Sequence, residues 1–160
     1  MTRSAKQKAI VVIALASCAV AYWTSRPWGA RFGTASPTSQ DIAHCERLLG
    51  FRLPPGAEAL GVSVEAFVHK RVLLKLRMGA EPLALLLAAP PSGPLRLASG
   101  PRQVERRAAD PGWWDPDGRA SFQSAAAEAP GADAPSLRLM VVDADAGDQI
   151  VYLEWRSGAQ

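Results

Sequence analysis

Hydrophobic and polar positions alternate most clearly in two places along the chain. Val62, Val64, Ala66 and Val68 interleave with Ser63, Glu65, Phe67 and His69, the period of a half-buried strand. Arg71 to Met78 repeats the pattern, with Val72, Leu74, Leu76 and Met78 on one side and Leu73, Lys75 and Arg77 on the other. Little separates the two runs, so a hairpin turning near His69-Lys70 is expected. Near the C-terminus, Leu137–Val142 and Gln149–Trp155 read as two more strands, joined by the Asp- and Gly-rich stretch from Asp143 to Asp148.

Two helices fit between and before these strands. Ile42, Cys45 and Leu49 fall at helical spacing, Thr38 and Asp41 have the spacing of a capping box, and Gly50 supplies a stop. Glu81-Pro82 opens a second helix, whose stretch Leu83–Ala89 is apolar all round and is expected to be buried on the sheet. Between Ser92 and Pro135 the pattern breaks into short pieces. Leu95–Leu97 and Gln103–Glu105 fit short strands, and Ala125–Pro135 reads as a surface loop. The order of elements predicts an α+β domain over residues 41–157, an antiparallel sheet of about four or five strands with helices packed on one face. No repeat at a fixed period runs through it.

The first residues follow a different rule. Arg3, Lys6 and Lys8 precede a run from Ala9 to Trp23 that carries no charge, the layout of an export signal or membrane anchor over residues 1–24. Within it, Leu15-Ala16-Ser17-Cys18 resembles the lipobox of bacterial lipoproteins, a Leu and two small residues before a Cys. That resemblance implies acylation at Cys18. Ala19-Val20-Ala21 also fits an ordinary signal-peptidase site, and the apolar run continuing past Cys18 fits an uncut anchor, so three modes of attachment stay open. Residues 25–40, rich in Pro, Ser, Thr and Gly, read as a flexible tether. The chain as a whole resembles small exported bacterial proteins, which implies a place in the cell envelope with the domain outside the cytoplasm.

Charge then takes on a different meaning. The formal net charge is +3, but Arg3, Lys6 and Lys8 account for all of it, and the rest of the chain is neutral. No electrostatic footprint for nucleic acid remains. With two cysteines, one of them in the leader, there is no disulfide framework, and Cys45 reads as a small buried hydrophobe on a helix.

Candidate chemistry is sparse. Asp143, Asp145 and Asp148 cluster tightly enough to suggest a calcium loop, yet Gly147 is out of place and no Glu closes it, so a plain strand-to-strand turn is expected. His44 and His69, the only histidines, require an acidic partner such as Asp115, Asp117, Asp143 or Asp145 for a hydrolase. Trp113 and Trp114, bounded by Pro111 and Pro116, can present rings to a ligand or partner, or one can enter the core while the other covers its edge. No cofactor is expected. The sequence points to a non-enzymatic protein, attached to a membrane through its N-terminal segment and acting on another protein as an accessory subunit, inhibitor or immunity-like factor. A ligand-binding module using the Trp pair and an envelope hydrolase are the alternatives.

Overall fold

The alternating runs form strands because each places one row of β-branched and leucine side chains on a common side. In the computed structural model, which describes residues 30–66, 69–128, 135–144 and 147–158, β2 (Glu58–Ala66) and β3 (Lys70–Met78) make the expected antiparallel hairpin. Strands β5 (Ser136–Asp143) and β6 (Gln149–Arg156) make the second. Helix α1 (Ser39–Leu49) begins at Thr38, whose hydroxyl accepts from the Asp41 amide while the Asp41 carboxylate accepts from the Thr38 amide. It ends at Gly50 with φ 77°, a left-handed turn that favours glycine. Helix α2 spans Ala80–Ala88.

The sheet has six strands rather than four or five, all antiparallel, in the order β1-β2-β3-β6-β5-β4. Both extra strands are edges. Strand β1 (Ala30–Thr34) lies in the stretch expected to be a tether, and pairs with β2 from Ala30↔Ala66 to Thr34↔Val62. Its only large apolar residue, Phe32, packs on the core, so five residues gave too short a pattern to read. Strand β4 (Gln123–Glu128) takes up the start of the expected surface loop. Alanines at 125, 126 and 127 conceal its alternation, although Ala125 is buried and Ala126 is not. The predicted strands at 95–97 and 103–105 do not form; only Ala98 makes an isolated bridge, to Ser124.

The sheet is two three-stranded meanders joined where β3 pairs with β6. Alternate side chains of those central strands face opposite ways. On one side Val72, Leu74, Leu76, Met78, Val151 and Leu153 meet Cys45 and Leu49 of α1 and Leu83 and Leu86 of α2, so both helices share one face, as expected. Helix α2 is not buried all round: Leu85 is 52% exposed, because a helix lying on a sheet keeps an outer side. On the other side Leu73, Met140, Val142, Ile150 and Tyr152 are covered by an irregular segment carrying Val104 and Trp114.

The capping geometry sets one expectation. Thr38→Ala removes the acceptor for the first-turn amide and lowers stability by about 1 kcal/mol, measured by urea denaturation; an unchanged midpoint contradicts the cap's role.

Candidate functional site

The irregular segment, roughly residues 99–122, carries most of the chain's chemically distinctive groups, and its hold on the sheet determines what they do. Arg102 acts as an internal latch, donating to the carbonyls of Pro116 at 2.6 Å and Arg119 at 2.8 Å while its guanidinium lies over the Phe122 ring. Trp114 enters the core completely, stacked edge-on against Tyr152 with 5.3 Å between ring centroids, its indole N–H directed at the Glu105 carbonyl at 3.4 Å. Trp113 is half-buried and edge-on to Trp114. It lies flat on Gly61: a Cβ there would come within 2.6 Å of the indole, so β2 needs glycine at this position. The tryptophans thus divide as one core residue and one cover.

Two charged clusters pin the segment to the sheet, and of their central members only Asp115 stood out in the sequence, as a possible partner for a histidine. Arg71 of β3 donates through Nη1 and Nη2 to Asp110 and through Nε to Glu154 of β6 at 2.6 Å. All three side chains are essentially closed to solvent. Arg156 closes the group, its Nη2 at 2.7 Å from Glu154 Oε1. Further along the same face, Lys75 donates to Asp115 Oδ1 at 2.5 Å and to the Trp113 carbonyl at 3.2 Å, and the Tyr152 hydroxyl donates to the same carboxylate at 2.8 Å. The signal for these clusters was the composition of β3 and β6. Arg71 and Lys75 flank Leu73 on the more polar side of β3, and Glu154 sits between Leu153 and Trp155 in β6, where residues 150–155 are otherwise apolar on both sides. A strand apolar on both sides is covered on both, and charges within it need buried partners.

Titration follows from this burial. Removal from water pushes the Asp110 carboxyl up, but Arg71 and the Arg107 amide outweigh that and hold it below the ordinary range. Burial likewise opposes, and Lys75 and Tyr152 overcome, the same effect at Asp115. Tyr152 is pushed up to about 12, chiefly by burial. Burial also raises the Cys45 thiol to about 12, with Asp41 and Glu46 adding to it, so at neutral pH Cys45 is a packed, protonated thiol.

The remaining predicted residues do not come together. His44 lies on α1, on the helix-covered face, near Phe32 and Arg47; Asp115 and Asp117 are on the opposite face. His69 is at the β2–β3 turn, whereas Asp143 and Asp148 flank the β5–β6 turn at the other end of the strands, a separation of roughly 25 Å at 3.3 Å per residue. The β5–β6 connection has the features of a turn, with Gly147 at φ 83° and the Ala144 amide donating to the Asp148 carbonyl at 2.9 Å. Asp145 and Cys18 lie outside the described residues. No group of three His, Cys, Asp or Glu arranged to hold a metal occurs among the described residues. Nor, among them, is any helix long and apolar enough to cross a membrane.

Two hollows flank these features. A polar cleft of about 300 Å³ opens beside the Arg71 cluster, lined by Arg102, Arg107, Arg138 and Arg156 with Glu105 and Glu154. An apolar one of about 190 Å³ lies on the helix side between Leu49, Phe51, Pro90, Pro91 and Trp155. Compared with protein-family models, curated proteins and solved structures, the chain matches none. The site therefore rests on its own geometry.

Two expectations arise here. Trp114→Ala costs roughly 3–5 kcal/mol, the range for emptying a buried aromatic site, whereas Trp113→Ala costs clearly less; equal losses in chemical denaturation contradict the division into core and cover. Acid also weakens the fold. Because Asp110 and Asp115 titrate lower when folded, their stabilisation is complete above about pH 4 and is lost as pH falls through the depressed native values. Asp110→Asn is less stable at neutral pH and has a shallower loss between pH about 4 and 2 than the parent chain.

Proposed function

We propose that this chain is a membrane-attached protein of the bacterial cell envelope that acts through contacts with another protein, as an accessory subunit, inhibitor or immunity-like factor, and not through catalysis. The observation that supports this reading is where the reactive types of side chain go. The Cys45 thiol, Tyr152, Asp110 and Trp114 are packed or paired within the fold, His44 and His69 are apart from Asp115, Asp117, Asp143 and Asp148, and Asp41, one turn before His44, is taken up by the Thr38 cap. What the domain offers its surroundings is shape and charge.

The sequence and the first strand together support attachment near a membrane. The uncharged run ends at Trp23 and β1 begins at Ala30. Six residues separate them, a reach of about 20 Å at most when fully extended. A domain on so short a connection stays close to the bilayer, where the partners it meets are other membrane proteins or proteins held at that surface.

An alkaline phosphatase fusion joined after Gln40 tests the location. It is active if the domain lies outside the cytoplasm, and an inactive fusion alongside an active cytoplasmic reporter overturns the reading. For the mode of action, a photo-crosslinking residue placed at exposed Leu85 or Arg107 yields one discrete protein adduct in intact cells. Adducts to lipid alone, from both positions, contradict it.

A further inference from the structure

The polar cleft beside the Arg71 cluster has a chemistry that the fold itself does not use up. Four guanidinium groups, those of Arg102, Arg107, Arg138 and Arg156, line it against the carboxylates of Glu105 and Glu154. The floor is already neutralised: Glu154 Oε1 accepts from Arg71 Nε at 2.6 Å and from Arg156 Nη2 at 2.7 Å. Arg102 is committed to holding its own segment. Arg156 engages Glu154 through Nε and Nη2, and Nη1 forms no hydrogen bond among the described residues. Arg107 is exposed, and its guanidinium forms none among them either; only its backbone amide does, to Asp110 at 2.9 Å.

We propose that this cleft binds an oxyanion, carboxylate or phosphate, between Arg107 and Arg156. Three features converge on that class. The guanidinium fork presents parallel N–H donors that match two oxygens of one anion. The lining carries an excess of positive charge on a domain that is neutral as a whole. The volume of about 300 Å³ is roughly ten times a water's share of the liquid, enough for a small di-anion with part of its hydration shell. Arg156 is held in place by Glu154, which is in turn held by Arg71, so one of the two donors is pre-positioned before any ligand arrives. The inference does not depend on the location or the partner proposed above.

The test uses the full-length chain in a non-ionic detergent, titrated separately with inorganic phosphate and with succinate at constant ionic strength. The Nε–H resonances of Arg107 and Arg156 shift saturably with at least one of them. Arg107→Gln weakens that binding by at least about tenfold, the effect expected of losing a charge-assisted contact, while leaving the circular dichroism unchanged. Arg106→Gln, an exposed neighbour that does not line the cleft, changes it less than about twofold. Saturation by phosphate alone or by succinate alone assigns the anion type. No saturable shift with either, or equal binding by the parent and Arg107→Gln, overturns the proposal.

Discussion

The interaction on which the loop-covered side of this fold depends is the buried chain of charges Asp110–Arg71–Glu154. It ties three parts of the sequence that are distant from one another: β3, β6 and the irregular segment between the helix and β4. Burying one carboxylate or guanidinium unpaired is prohibitive, and pairing compensates only when the remaining donors and acceptors are also satisfied. Here they nearly are. Arg71 donates through Nε, Nη1 and Nη2, and the Arg107 amide completes Asp110. Such a cluster gives less net stability than an apolar core of the same size, but it has only one geometry. A segment whose regular structure amounts to one short 3-10 turn at Pro116–Gly118 needs that kind of constraint to have a defined position at all.

This difference in constraint separates the two faces. On the helix side, α1 and α2 sit on Val, Leu and Met side chains, a contact that is non-directional and strong in proportion to area. On the loop side, Trp114 supplies the area and the ion cluster supplies the register, with Lys75, Asp115 and Tyr152 as a second fixing point further along β3. Gly61 completes the fit by allowing Trp113 to lie against the strand. The segment is irregular in backbone only; in side-chain terms it is as specified as the helices.

The elements legible in the sequence were those whose hydrophobic period is long and uninterrupted. The β2–β3 and β5–β6 hairpins, the Thr38–Asp41 cap and the Gly50 stop all form, although β2 starts at Glu58, four residues before the alternation, Lys70 already belongs to β3, and Phe67 and Val68 lie outside the described residues. What escaped was short or written in alanine. Strand β1 has one large apolar residue in five positions, and β4 runs through three alanines whose inward and outward positions look alike. The ion cluster was illegible for a different reason. Arg71 and Asp110 are 39 positions apart and Arg71 and Glu154 are 83 apart, so only the fold brings them together. Half of that signal was nevertheless present: a charge in a strand apolar on both sides demands a partner, though it does not name one. The Asp143–Asp148 stretch was the converse, a conspicuous acidic motif whose described part is accounted for by turn geometry.

The position of the arginine cleft follows from the same constraint. In β3 and β6, Arg71 stands directly opposite Arg156, an arrangement that repels unless an anion lies between them. Glu154 is that anion, and Arg138 of β5 is its cross-strand neighbour on the other side. One carboxylate thus binds cations of β3 and β6 and stands across from a third on β5, and the Asp110 turn brings Arg107 alongside them. Arg71, at the centre, is fully engaged, whereas Arg107 stands at the exposed edge of the cleft and its guanidinium forms no hydrogen bond among the described residues. A cleft whose lining carries more cations than anions, on a domain neutral as a whole, thus follows from how the loop is fastened to the sheet: the device that fixes the segment also gathers the arginines of the proposed anion site.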